Sequence, residues 1–286
     1  MRTEYNFESF AETPEYRRLN REMISGWIAM MKEAGEKRIE RVLDIATGIG
    51  TMIRIFLEEL PEELNHPQVI CLDKSQGALD KARGRLGSAV SSLKTVHATA
   101  QEMNMKGGDV SLVLWGNGIH NLSKPDQRES VKRIADVLAS GGWFFFNTAF
   151  YENSRPEETL SFYRYQVKQA VKILRERGVD RDRGGSRAEA AKYHPRAYYR
   201  KLGEDAGLKI KDAGEMTAPL YRGAWEAISS FRNYASGALH GYPIGEAQSA
   251  LREAVAPSLE KYGQEDEEGN LYIPRRWLAV AAKKVG

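Results

Sequence analysis

The chain has 286 residues, 42% of them hydrophobic and 28% charged, the make-up of an ordinary globular protein long enough to bury a large core. Its 42 Lys and Arg against 39 Asp and Glu leave a net charge of +3, so no nucleic-acid surface is demanded. A single cysteine, Cys71, excludes an internal disulfide, no apolar run reaches membrane-spanning length, and the polar N-terminus is not a signal peptide; the expected location is the cytoplasm, with no membrane partner.

Residues 1–14 are polar apart from Phe7 and Phe10 and read as a loose arm or a lid. Glu15–Gly35 is a helix, because Met23, Ile24, Trp27, Ile28 and Met31 recur at helical spacing. Next comes Arg41-Val-Leu-Asp-Ile-Ala-Thr-Gly-Ile-Gly-Thr-Met-Ile-Arg54. Val42, Leu43 and Ile45 make a short buried strand, Gly48 and Gly50 permit a tight turn, and from Ile49 to Leu60 the spacing becomes helical. Val69–Asp73 is a second strand, Lys74–Leu86 a helix, Thr95–Ala98 a weak third strand and Val110–Trp115 a strong fourth. Gln127–Leu138 is helical, Gly141-Gly142 breaks it, and Trp143–Ala149 is a fifth strand. The apolar neighbours of Cys71 make it a core thiol rather than a reactive one. This alternation of strands and helices predicts a parallel sheet covered on both faces.

The pattern then changes. Pro156–Arg177 is a long helix, Gly178–Arg187 a charged loop, Pro195–Ala206 a helix and Leu208–Ala213 a sixth strand. Trp225–Ala235 and Gly245–Tyr262 are helical around a loop at Ser236–Pro243, Gln264–Asn270 is an acidic turn, and Trp277–Ala282 is a last strand. The helical material exceeds what crossovers need. The expected division is an N-terminal arm and helix over 1–36, an α/β core over 37–150, helical cap insertions around strand six over 151–270, and a final core strand over 271–286.

In open α/β sheets, ligands bind at the carboxyl ends of the strands. Asp44 sits near the first such end, where a carboxylate must find a partner. Asp73 ends the second strand, 23 residues after Gly50, about where an acid accepts hydrogen bonds from ribose hydroxyls. Thr99-Ala-Gln-Glu102 follows the third strand and Gly116-Asn-Gly-Ile-His-Asn121 the fourth. A nicotinamide fingerprint fails, because Ile53 stands where a small residue is needed, and Asp44 would repel a pyrophosphate. A cofactor carrying positive charge suits that carboxylate.

Val42-Leu-Asp-Ile-Ala-Thr-Gly-Ile-Gly50, Val69-Ile-Cys-Leu-Asp73, Asp109-Val-Ser-Leu-Val-Leu-Trp-Gly-Asn-Gly-Ile-His120 and Leu138-Ala-Ser-Gly-Gly-Trp-Phe-Phe-Phe146 together resemble the class I S-adenosylmethionine-dependent methyltransferases. The resemblance covers about residues 40–150. It implies a doubly wound, seven-stranded, mostly parallel sheet, with Ala279–Lys283 antiparallel between strands five and six. It implies S-adenosyl-L-methionine as cofactor and S-adenosyl-L-homocysteine as product. Asp44 would order the glycine loop and bind the methionine ammonium. Ala46, Thr47, Gly48 and Gly50 would carry the backbone past the cofactor. Asp73 would hold the ribose, Lys74 and Ser75 would lie beside the adenine, and Asn117 near the methionine moiety. Two departures stand out. Ala46 replaces a loop glycine, and its methyl fits only at negative φ. Thr99 stands where the family often has an acid, which leaves adenine recognition to backbone groups and Gln101.

His120 is a candidate base, since imidazole titrates near neutrality, or else a histidine packed under the cofactor. Tyr16, with Phe7 and Phe10, either closes over the site or packs into the core. His194, Arg222 and Trp225 are candidate substrate contacts in the cap, against a default of loop and surface packing. Arg164 and Arg196 are weighed with Arg222 as partners for an acidic substrate group. No Cys and His cluster has metal-ligand spacing. The expected activity is methyl transfer to oxygen or carbon of a small molecule, aromatic or apolar, by a monomer or homodimer. The alternatives are a protein that binds S-adenosylmethionine without catalysis and an RNA methyltransferase, against which the missing basic tract argues.

Overall fold

A computed structural model describes residues 7–64, 67–87, 90, 92–105, 107–182 and 192–285. The N-terminal segment forms α1 (Glu8–Ala11) and α2 (Pro14–Glu33), followed by β1 (Arg41–Ile45), α3 (Thr51–Glu59), β2 (Gln68–Asp73), α4 (Gln76–Leu86) and β3 (Leu93–His97). Next come β4 (Val110–Gly116), α5 (Lys124–Val137), β5 (Leu138–Thr148), α6 (Glu157–Glu176), α7 (Arg196–Asp205) and β6 (Leu208–Tyr221). The chain ends with α8 (Arg222–Ser229), α9 (Arg232–Ala238), α10 (Ile244–Glu253), α11 (Val255–Tyr262), β7 (Gln264–Glu265) and β8 (Leu271–Lys284).

The strands lie in the order β3-β2-β1-β4-β5-β8-β6. All neighbours through β5 are parallel, and β8 runs antiparallel between β5 and β6, as the resemblance implied. An eighth, two-residue strand, β7, pairs with β8 off this path; it takes the first two residues of the expected acidic turn.

Successive strand residues point to opposite faces, and the core divides accordingly. Val42, Leu112, Leu114 and Phe145 pack on the side of α2 and α3, where Trp27 stacks on Phe145 with centroids 4.9 Å apart. Leu43, Val113, Phe144 and Phe146 pack on the opposite side, with Val131 and Ile134 of α5 and Tyr199 and Leu202 of α7. Helices α6, α9 and α10 share a smaller apolar core of Ala170, Leu174, Leu239 and Leu251.

Four expectations need correction. Gly141-Gly142 does not precede β5 but lies inside it. The partner on β5 advances from Leu138 to Trp143 while β4 advances from Val110 to Leu112, so residues 139–142 bulge, and Gly141 has φ 75°. Strands β6 and β8 are 14 residues each, more than twice the expected length. They pair with each other from Leu208↔Lys284 to Tyr221↔Tyr272, with one bulge between Ile210 and Asp212, and form a ribbon past the end of β5. Ser236–Ala238 belong to α9 rather than to a loop. The N-terminal arm is not loose over its described residues: Phe10 and Ala11 are buried, and Glu12 accepts hydrogen bonds from Thr51 of α3 at 3.0 Å and Arg85 of α4 at 2.8 Å. Residues 183–187 of the expected charged loop lie outside the described residues. Cys71 is fully buried, which raises its thiol pKa above the ordinary value.

Candidate functional site

The carboxyl ends of β1, β2, β4 and β5 open into a cavity of about 600 Å³, a size typical of small-molecule sites. Three short polypeptide turns build its floor. After β1 the backbone enters the left-handed region at Ala46 (φ 52°), Gly48 (φ 58°) and Gly50 (φ 84°). The turn is held by Thr47 Oγ1 donating to Asp44 O at 2.7 Å and Thr47 N–H donating to Leu72 O at 3.1 Å. Ala46 therefore has positive φ, contrary to expectation. The turn imposes the conformation that a glycine would adopt freely, and alanine bears the strain.

Asp44 lines the cavity and is 1% exposed, and neither carboxylate oxygen has a hydrogen-bond partner among the described residues. Burial, with the nearby charge of Asp73, pushes its pKa up to about 8. A buried acid with no donor calls for a cation from outside the chain. Asp73 is also buried and lines the cavity. Its Oδ2 accepts from Gly48 N–H at 2.9 Å and its Oδ1 from Ser75 N–H at 2.8 Å. Each oxygen keeps a further lone pair for a hydroxyl. Burial outweighs these bonds and raises its pKa. Lys74, Ser75, Thr99 and Ala100 continue the wall.

Asn117 also takes positive φ, at 44°. Its N–H donates to Asn147 Oδ1 at 2.9 Å, its Oδ1 accepts from Ala149 N–H at 3.0 Å, and Asn147 Nδ2 donates to Asn20 Oδ1 at 2.9 Å. This buried amide chain fixes the ends of β4 and β5 to α2. Asn20 and Asn147 escaped the sequence reading because an isolated asparagine in a helix or strand gives no spacing signal. His120 is buried, stacks on Phe150 at 3.8 Å, and has Nδ1 3.2 Å from Thr148 Oγ1. Burial and the Arg275 charge lower its pKa to about 3. That is below the near-neutral titration expected from the sequence, and the direction weakens His120 as a base.

Other expected residues divide. Tyr16 and Trp225 are buried and line the cavity, and Phe7, Phe10 and Phe231 join them, with Phe7 and Phe231 centroids 5.6 Å apart. Gly50 does not face the cavity: a Cβ there would meet Leu86 Cδ1 of α4 at 3.2 Å, so its smallness serves helix packing. Gly48 reaches the site through its N–H to Asp73. Gln101 is off the wall, with its Oε1 buried and unpartnered among the described residues. His194 packs against Tyr198 away from the cavity wall. Arg222 is exposed and paired with Glu226 at 2.7 Å, and Arg196 is paired with Glu215 at 3.1 Å. The arginines that do line the cavity are Arg155, Arg232 and Arg275. Arg275 was legible in principle: Ile273, Arg275 and Trp277 are the buried members of an alternating strand.

Residues 42–142 match the family described as a methyltransferase domain. Over these residues the chain carries a methyltransferase domain, set in a sheet of the class I strand order. No curated relative matches it. Among solved structures, this methyltransferase fold is similar to a proposed methyltransferase from Bacillus halodurans C-125, with TM-score 0.55 and 15% identity, over 91% of this chain and 99% of that one. The YcgJ protein of Bacillus subtilis gives TM-score 0.55 and 14% identity, over 91% and 98%. The cyclase SpnF gives TM-score 0.51 and 13% identity, over 92% and 82%. The class I fold expected from the sequence is therefore present. The cyclase is a reminder that such a fold also carries other chemistry.

Proposed function

We propose that this methyltransferase transfers the sulfonium methyl of S-adenosylmethionine to oxygen or carbon of a small molecule enclosed in the cavity. The observation that carries the reading is Asp44, a buried carboxylate without an internal donor, opening into the same cavity as the Asp73 carboxylate. The first suits an ammonium and the second a pair of ribose hydroxyls. Thr99 and Ala100 lie where the adenine would rest, and Asn117 beside the methionine moiety. The bound cofactor supplies an electrophilic methyl group and a good leaving group.

The chain's own task is then positioning and exclusion of water. Helices α6, α8 and α9 act as the cap. Asn233 of α9 donates to Asn121 of the β4 turn at 3.2 Å, and α1 closes another side through Phe7 and Phe10. Neutral His120 serves as a hydrogen-bonding wall of the acceptor pocket rather than as a strong base, so the acceptor is one that needs little help in losing a proton.

The test is calorimetry with S-adenosylmethionine, followed by detection of S-adenosylhomocysteine across a metabolite panel. Binding with acceptor-dependent product is the expected result. Binding without turnover across a broad panel would favour a non-catalytic binding protein.

A further inference from the structure

The cavity has a cationic wall, formed by Arg155 and Arg275, besides the acids Asp44 and Asp73. Arg275 of β8 is 7% exposed. Two of its contacts are to neutral carbonyls, Ala149 O and Ser154 O, which leaves guanidinium donors to spare. It forms no ion pair among the described residues. Glu215, which acts on neighbouring Tyr151, is held by Arg196 at 3.1 Å. Arg275 lies over the Phe150 ring at 5.7 Å. Arg155, likewise without an ion pair among the described residues, lies over Tyr193 at 4.4 Å and Tyr163 at 5.3 Å. Phe150 and Tyr193 are themselves 6.0 Å apart. Two guanidinium groups and three flat rings thus form one continuous surface inside the cavity.

A buried arginine without a carboxylate partner is costly, and the carboxylate of a methionine moiety bound at Asp44 would not reach this one. Asp44 is level with Leu114, Phe145 and Ala281 across the sheet. The Arg275 guanidinium is anchored on Ala149, four residues beyond Phe145 and two strands from β1. That is about 13 Å along the strands and about 10 Å across them. The ammonium and carboxylate of methionine share one carbon, so a group held at Asp44 cannot span the gap.

We infer that the methyl acceptor is a carboxylate-bearing small molecule, its anionic group against Arg275 and Arg155 and its flat body against Phe150, Tyr163 and Tyr193. This rests on the methyltransferase reading above. The anion fits guanidinium forks geometrically, and it complements a cavity whose acids, Asp44 and Asp73, are both at the cofactor end.

The test titrates the whole protein, with and without saturating S-adenosylhomocysteine, against benzoate and benzamide, cyclohexanecarboxylate and its amide, and inorganic phosphate. At least one acid should bind about tenfold or more tightly than its amide and than phosphate. Arg275→Gln should erase that preference and Arg275→Lys keep part of it, with S-adenosylhomocysteine affinity within about threefold of wild type. Arg155→Gln, at a less buried position, should weaken the preference several-fold and serves if Arg275→Gln does not fold. Equal binding of acid and amide, equal binding of phosphate, or no carboxylate binding overturns the inference. If S-adenosylhomocysteine still binds, only the acceptor class is lost; if wild type does not bind it, the function itself falls.

Discussion

The backbone N–H of Gly48 donates to Oδ2 of Asp73 across 2.9 Å, so the turn after β1 is fastened to the end of β2. One carboxylate both shapes the loop and faces the cavity. Asp73→Ala should weaken S-adenosylhomocysteine binding about 10- to 100-fold, as expected for losing hydrogen bonds to a charged group. Asp73→Asn should also weaken it, since its amide nitrogen cannot accept from a backbone N–H. Calorimetry decides, and unchanged affinity for the alanine variant would remove Asp73 from the site.

Asp44 makes a prediction about pH. Its folded pKa, about 8, lies above the usual carboxylate value of 3.8, so the free protein holds a proton there that the unfolded chain has lost. Asp44 thus lowers the stability of the free protein as pH rises from about 4 to about 8. An incoming ammonium favours the ionised form, so binding releases a proton, and cofactor affinity should rise between pH 6 and 8. Titrations in buffers of different ionisation enthalpy measure that proton. Asp44→Asn should stabilise the free protein at pH 8, abolish the proton release and cost about tenfold or more in affinity.

His120 works in the opposite sense. Its folded pKa, about 3, lies below the ordinary 6.5, so the unfolded chain binds the extra proton. Its contribution is complete above about pH 6.5 and is lost progressively as pH falls toward 3. His120→Gln should flatten the acid limb of a melting-temperature profile. If the variant also keeps full turnover at neutral pH, the imidazole is not the base; a loss of turnover with a shifted pH–rate profile would restore that role.

Backbone strain in the first turn gives a stability pair. Ala46→Gly removes a left-handed alanine and should stabilise the fold by up to about 1 kcal/mol, the relief of strain less the added freedom of glycine in the unfolded chain. Gly50→Ala adds that strain at φ 84° and a 3.2 Å contact with Leu86, and should cost about 1–2 kcal/mol. Both are read by thermal or denaturant unfolding.

The sheet core was legible because β-branched runs ended by acids and glycines recur at βα spacing, and the antiparallel β8 followed from the family resemblance. The acids at the first two strand ends were legible for the same reason. What escaped the sequence depended on contacts between distant segments. The sign of φ at Ala46 is set by hydrogen bonds to Asp44 and Leu72, not by alanine's own preference. The low pKa of His120 comes from burial and from Arg275, 155 residues away. Of the arginines weighed from the sequence, Arg196 and Arg222 pair with Glu215 and Glu226, whereas the cavity's arginines come from a loop, a helix start and a strand interior.

The ribbon of β6 and β8 has a consequence for the chain's tolerance to change. Ile273, Arg275 and Trp277 are the buried residues of its free end, while Tyr272, Pro274 and Arg276 alternate with them. The wall of the cavity is therefore a matter of parity. One residue inserted or deleted at 276–277, between Arg275 and the part of β8 that β5 holds from Leu278 onward, would exchange the two sets, turning one arginine outward and its neighbour in. A two-residue change would preserve the faces and move Arg275 along the cavity by about 7 Å. Drift in length on this ribbon would thus abolish the wall in odd steps and relocate its charge in even ones, a route to new acceptors that leaves the cofactor half of the site untouched.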